Sequence, residues 1–203
     1  MSKKLIIVFE GIEGAGKSYH INKVAKYLKK IKKNFIQIRE PGGSINSEKI
    51  RKLILNNKST FNKYTDLLLY LSARSENMEL IKKNLRKKII LIDRFTDSTI
   101  AYQHYGMGVN LKLINDMNTF LLKGIKVDFT FLNTVSQKNM KNRLLKRKRL
   151  NRYDKFNYNF YQRVQKGFIK ILNKDSKKYM KIDSNLNIAD NEKIILNKIK
   201  DLI

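Results

Sequence analysis

The chain has 203 residues, enough for one domain with a sizeable core, and its 42% hydrophobic and 10% aromatic content excludes a disordered polypeptide. It has no cysteine, which excludes a disulfide framework and thiolate metal sites, and no apolar run approaches the length of a membrane span. The net charge of +27 would suit a polyanionic partner, but lysine is spread along the whole chain beside abundant Ile and Asn and a single Pro, which reads as drift towards AT-rich codons rather than a nucleic-acid footprint. The first ten residues, MSKKLIIVFE, hold too short an apolar run for a signal peptide and no small-residue cleavage site, so a cytoplasmic protein is expected.

Leu5 to Phe9 is a run of strand formers that stops at Glu10 and Gly11. Gly11, Gly16, Lys17 and Ser18 then complete G-x-x-x-x-G-K-S, and a helix follows from Lys17 to Ile31 with Ile21, Val24, Ala25, Leu28 and Ile31 on one face. Strand, glycine loop and helix in that order form a phosphate cradle. Glycines let the backbone wrap an anion without Cβ clashes, successive N–H groups point inward, and the helix N-terminus adds partial positive charge. Lys17 can reach the β- and γ-phosphates of a nucleotide, and the Ser18 hydroxyl can ligate Mg²⁺.

Phe35 to Arg39 reads as a second strand, broken by Pro41, Gly42 and Gly43, and a short helix follows from Ser47. Tyr64 to Leu85 has a long helical pattern through Leu67, Leu71, Met78 and Ile81. Ile89 to Ile92 is a continuous apolar run, as in a buried parallel strand, and it ends in Asp93-Arg94. Helices are expected at Ser98 to Tyr105 and Leu111 to Leu122, then a strand at Phe129 to Leu132. A helix from Ser136 to Lys146 leads into the basic stretch KRKRLNRYDKF. Another helix carries Phe160, Val164, Phe168 and Ile171, and a weak strand at Tyr179 to Ile182 precedes a closing helix at Ile188 to Leu202. Alternating strands and helices predict a doubly wound α/β fold whose ligands lie beyond the carboxyl ends of the strands. With no visible linker or repeat, one domain over residues 1–203 is expected. Asp93 then stands where a strand-end carboxylate holds Mg²⁺, directly or through water, and Arg94 beside it suits a second phosphate. His20 and His104 have no metal-ligand spacing and read as structural or surface residues.

These segments resemble the bacterial thymidylate kinase family over essentially the whole chain. The resemblance rests on EGIEGAGKS, REPGGS at Arg39 to Ser44, YLSAR at Tyr70 to Arg74, DRFTDSTIAYQ at Asp93 to Gln103, RKRLNR at Arg147 to Arg152, FYQRV at Phe160 to Val164 and IDSN at Ile182 to Asn185. It implies a three-layer P-loop NTPase fold, a five-stranded parallel sheet flanked by helices, with a short basic lid at about 147–157. It implies transfer of the γ-phosphoryl group of ATP to dTMP, towards dTTP, with Mg²⁺, by a cytoplasmic homodimer with no stable nucleic-acid partner and no membrane association.

For ATP the resemblance implies Gly11, Ile12, Glu13, Gly14, Ala15, Gly16, Lys17 and Ser18, and for Mg²⁺ Ser18 and Asp93. For dTMP it implies Glu13, Glu40, Pro41, Tyr70, Arg74, Arg94, Ser98, Thr99, Tyr102 and Gln103. Arg94 would grip the acceptor phosphate, and Tyr70 and Arg74, four apart on one helix face, would hold the thymine. Thr99 or Ser98 would meet the base edge. Tyr102 would fill the place of a 2′-hydroxyl, and Glu13 would lie between the two phosphate groups. Lys17, Arg94, Arg147 and Arg152 form the expected catalytic set. Some family members carry an arginine at the positions of Glu13 and Gly14; this chain has none there, so the lid, Arg152 foremost, is expected to supply that cation. Tyr70 stands where Phe is usual, Met107 where Arg is common, Val127 where Pro is usual and Asn151 where an acidic residue is usual, while Lys148 and Arg149 make the lid more basic. The alternatives are a P-loop kinase for another nucleotide or nucleoside, with Glu40 or Glu10 as base, and a basic P-loop ATPase that binds nucleic acid.

Overall fold

The computed structural model describes residues 4–147 and 149–203, so the lid's Lys148 lies outside the described residues. Five parallel strands form one sheet: β1 (Ile6–Gly11), β2 (Phe35–Arg39), β3 (Ile89–Asp93), β4 (Phe129–Thr134) and β5 (Tyr179–Asp183), in the order β2-β3-β1-β4-β5. β1 is central and wholly buried, paired with β3 through Ile6↔Ile90 to Phe9↔Asp93 and with β4 through Ile7↔Phe129 to Gly11↔Asn133. This is the arrangement expected of continuous apolar runs, which can only be strands covered on both faces.

The helices are α1 (Lys17–Lys30), α2 (Ile45–Leu55), α3 (Lys63–Asn84), α4 (Thr96–Thr99), α5 (Leu111–Leu122), α6 (Gln137–Leu145), α7 (Tyr158–Lys174) and α8 (Ile188–Leu202). Alternate β1 side chains serve opposite layers. Ile7 and Phe9 join Ile21, Val24 and Leu28 of α1 and Ile195 and Ile199 of α8, while Ile6 and Val8 join Met78 and Ile81 of α3. Helix starts are set largely by the Asn- and Ser-rich composition. Ser44, Asn62, Asn110, Ser136, Asn157 and Asn187 each accept a hydrogen bond from the first turn that they cap, each cap contributing about 1 kcal/mol. The Ser44 cap is why α2 starts ahead of the expected Ser47.

One element departs further from expectation. The helix read as Ser98 to Tyr105 begins at Thr96 and continues past α4 as a π-helical segment, Ile100–Gly106. This segment meets α7 at two glycines. A Cβ on Gly106 would come within 2.7 Å of Phe160 Cε2, and one on Gly167 within 2.5 Å of Tyr105 Cδ2. Among the described residues no helix is long and apolar enough to cross a membrane.

Candidate active site

The phosphate loop leaves β1 at Gly11, where φ is 136° and a Cβ would lie 2.2 Å from the Asn133 carbonyl oxygen, so only glycine can make the turn against β4. The loop's outer rim is tied down by Ser184, whose hydroxyl donates to Ala15 O at 2.7 Å. Arg143 adds a second tie, donating to Gly14 O at 2.8 Å and to Ser184 O at 2.6 Å. Sequence reading missed Arg143, because on a lysine-rich helix end nothing local separates it from a solvated charge.

Inside the loop Lys17 is 6% exposed and donates to Gly11 O at 2.9 Å and Ile12 O at 2.8 Å. Burial, helped by Arg94, pushes its ammonium pKa down to about 8. The Ser18 hydroxyl donates to Asp93 Oδ2 at 2.9 Å, which joins the start of α1 to the end of β3. Among the described residues no group of three or more His, Cys, Asp or Glu side chains could hold a metal on its own. Two hard oxygens beside a phosphate cradle do fit Mg²⁺, which takes few protein ligands and completes its shell with water and phosphate oxygens.

Arg94 sits at φ 69°, a left-handed conformation that an arginine keeps only where its surroundings hold it. Its guanidinium donates to Gly11 O at 2.8 Å and pairs with Glu13 at 2.8 Å, lying 5.1 Å over the Tyr102 ring. Burial would raise the Glu13 pKa, but Arg94 and Lys17 overcome it and hold the carboxyl below its usual range. The Tyr102 hydroxyl donates to the other Glu13 oxygen.

These groups face a cleft of about 190 Å³ lined by Glu13, Lys17, Ser18, Arg39, Glu40, Pro41, Arg51, Leu55, Tyr70, Asp93, Arg94, Arg147, Asn151 and Tyr153. A space of about 20 Å³, too small for a base, adjoins it between Glu13, Tyr70, Arg94, Ser98, Tyr102 and Gln103. The structure thus brings Glu13, Lys17, Ser18, Glu40, Pro41, Tyr70, Asp93, Arg94 and Arg147 around one cavity, with Ser98, Tyr102 and Gln103 around its neighbour. Gly11, Ile12, Gly14, Ala15 and Gly16 supply the loop backbone.

Three expected residues are not on the cleft wall. Arg74 is 1% exposed and spends its donors on Glu40 (2.9 Å), Asn118 (2.6 Å) and Thr99 (2.9 Å), so both Arg74 and Thr99 lie beneath the wall. Arg152 donates to Ile54 O at 3.1 Å and pairs with the buried Asp66, which also accepts from Tyr153 and from Gln103. Arg147 does line the cleft and pairs with Asp154 at 2.6 Å. Asn151, in the usually acidic position, braces this pair by donating to Asp154 Oδ2 at 2.7 Å. Arg39 and Arg51 line the cleft without having been singled out in the sequence; Arg39 pairs with Glu48, and Arg51 donates to Pro41 O at 2.5 Å. His20 is buried and is not among the residues lining the cleft.

The family model described as thymidylate kinase matches residues 9–195. The chain belongs to the thymidylate kinase family. The thymidylate kinase of Sulfurihydrogenibium sp. (strain YO3AOP1) is 36% identical over 197 residues, covering 96% of each chain. That of Wolbachia pipientis wMel is 42% identical over 176 residues, covering 84% of this chain and 86% of its own. The crystal structure of thymidylate kinase from Ehrlichia chaffeensis superposes with a TM-score of 0.79 at 30% identity, over 98% of this chain and 99% of that one. The α/β fold with its parallel five-stranded sheet is therefore the thymidylate kinase fold, as the sequence resemblance implied.

Proposed function

We propose that this chain transfers the γ-phosphoryl group of ATP to dTMP, within dTTP biosynthesis, using the cleft described above. The observation that carries the reading is the convergence of Lys17, Arg94 and the Ser18–Asp93 pair on one cavity, with Tyr70 on its wall, in a member of the thymidylate kinase family. The acceptor is a phosphate monoester and already anionic, so it needs no general base. The barrier lies in bringing two anions together and dispersing the charge of the transferring group. Lys17 and the loop N–H groups would hold the donor phosphates, and Arg94 the acceptor phosphate, with Arg39 and Arg51 adding positive charge on the same wall. Ser18 and Asp93 would hold Mg²⁺, which neutralises phosphate charge when bound. Of the two carboxylates that could serve a nucleoside acceptor as base, Glu40 is engaged by Arg74 and Asn77 and Glu10 by Phe95 and Ser98, which favours a phosphorylated acceptor.

Tyr70 would stack on the thymine, with Arg74 setting that wall from below, and Tyr102 would crowd a 2′-hydroxyl. Arg147, which lines the cleft, would be the lid cation that reaches the donor phosphates rather than Arg152. We further propose one domain over residues 1–203, lid at about 147–157, acting as a cytoplasmic homodimer. Tyr64 and Leu68 on α3 and Leu113 and Phe120 on α5 are exposed apolar side chains that support the dimer. A coupled ADP-release assay with dTMP, dUMP, UMP, dGMP and dCMP tests the reading. dTMP should be the preferred acceptor, and a chain that turns over another acceptor faster overturns it.

A further inference from the structure

Glu10 takes no part in the reaction as described, yet its carboxylate is 1% exposed in the middle of the sheet, one residue before the phosphate loop. The N-cap residue of α4 is Phe95, whose side chain cannot accept a hydrogen bond and so cannot cap the helix. Glu10 caps it from the neighbouring strand. One oxygen accepts from the Phe95 N–H at 2.7 Å and the Ser98 N–H at 3.2 Å, and the other accepts from the Ser98 hydroxyl at 2.5 Å. In a capping box those two N–H groups are satisfied by two side chains of the helix itself; here a single side chain from β1, 85 residues away, serves both.

The position of this cap matters because of its neighbour. Arg94 immediately precedes Phe95 and sits in the left-handed region at φ 69°. Its own N–H donates to the Phe9 carbonyl at 3.0 Å. Consecutive residues of β1 thus hold both flanks of the turn, Phe9 through the N–H of Arg94 and Glu10 through the N–H that follows it. The guanidinium emerging from that turn reaches Gly11 O and Glu13 at the cleft. Among the described residues no cation forms an ion pair with Glu10. A buried carboxylate without a salt bridge is costly, and helix capping alone could be served by an uncharged side chain.

We propose that Glu10 is a positioning residue. By capping α4 from β1 it holds the Arg94 backbone in the turn that aims the guanidinium into the cleft, and so it sets affinity for the acceptor's phosphate. The inference rests on the reading that Arg94 grips that phosphate. Glu10→Gln keeps the shape but replaces one accepting oxygen with a donating amide, and Glu10→Ala removes the cap. Steady-state kinetics with dTMP and ATP varied separately should show the KM for dTMP raised roughly tenfold in Glu10→Gln and further in Glu10→Ala. The KM for ATP should stay within about twofold, because the phosphate loop itself is unaltered. Circular dichroism melting identifies the variants that fold. A role limited to stability would lower kcat in proportion to the folded fraction and leave both KM values unchanged; that result, an equal rise in the two KM values, or failure of both variants to fold overturns the proposal. If the unaltered protein turns over dTMP and folded Glu10→Gln matches it, only the positioning role falls. If the unaltered protein does not turn over dTMP, the functional reading falls, and the positioning role falls with it.

Discussion

The floor of the cleft and its lid both carry cations, but the floor's Lys17 is held by the backbone carbonyls Gly11 O and Ile12 O, and Arg94 by Gly11 O as well as the Glu13 carboxylate, whereas the lid's Arg147 is held by the carboxylate of Asp154 and Arg152, off the cleft wall, by that of Asp66. A carbonyl at the end of a central strand moves only if the sheet moves, so the floor is organised before any ligand arrives. A carboxylate is an anion and competes with phosphate for the same guanidinium. Arg147, 38% exposed, can trade Asp154 for a phosphate oxygen, while Arg152, 12% exposed and tied also to Ile54 O, has little to trade. On the proposed reading the lid would contain one exchangeable cation and one structural strap, a division that the uniform basic string KRKRLNR conceals.

Removing a floor cation should do the most damage. Lys17→Ala should cut kcat with dTMP and ATP by roughly 10³-fold or more with thermal unfolding little changed, since Gly11 O keeps the Arg94 donor and Ile12 O the Ala15 N–H. Near-normal turnover in a folded Lys17→Ala protein would show that the floor is not where charge is dispersed. Next comes a contrast within the lid. Arg147→Ala should lower kcat by roughly 10²-fold with a much smaller change in the KM for ATP, because its contact forms with the phosphates rather than in the free protein. Arg152→Ala should instead strand the buried Asp66 and lower Tm by roughly 5 °C or more, with kcat less affected than in Arg147→Ala. Equal kcat losses with no Tm difference between the two variants would erase the distinction between strap and exchangeable cation.

The smallest expected effect concerns the carboxylate under the floor. Burial, then the neighbouring Asp97, raises the Glu10 pKa to about 7, against the pull of Ser98, the Phe95 N–H and Arg94, and Tyr179 donates to Asp97 from the far side. Between the usual carboxylate pKa and about 7 the native protein therefore binds more protons at this site than the unfolded chain, so this contribution to stability falls as pH rises through that window. Glu10→Gln lacks the titrating group. The Tm of Glu10→Gln minus that of the unaltered protein should grow from pH 5 to pH 8; a constant difference would mean that the site does not titrate there.

The parts of the site legible in the sequence are those in which a local pattern carries its own geometry. G-x-x-x-x-G-K-S after an apolar strand fixes where Lys17 and Ser18 stand, and a strand ending in Asp93-Arg94 fixes the facing pair. The family resemblance implied Tyr70 and Arg74, and helical spacing put both on one face, whereas three partners from distant segments, Glu40, Thr99 and Asn118, draw Arg74 beneath the wall. Arg143 and Arg51 escaped for the same reason, and Glu10 was read only as an alternative base: each meets a backbone group brought near only by the fold, and nothing in their own neighbourhoods announces it. The π-helical segment has no signal in its own residues; it packs against α7, with Phe160 and Val164 close against Gly106.

That contact has a mechanical consequence. Tyr105 meets Gly167 and Phe160 meets Gly106, so each helix offers a ring to the other's bare backbone, and neither has clearance to slide. The helix bearing Ser98, Tyr102 and Gln103 and the helix that follows the lid are thereby meshed like two gears with a shared tooth. Any rotation of α7 would therefore be passed to the segment that carries Tyr102 and Gln103, on the wall of the neighbouring space.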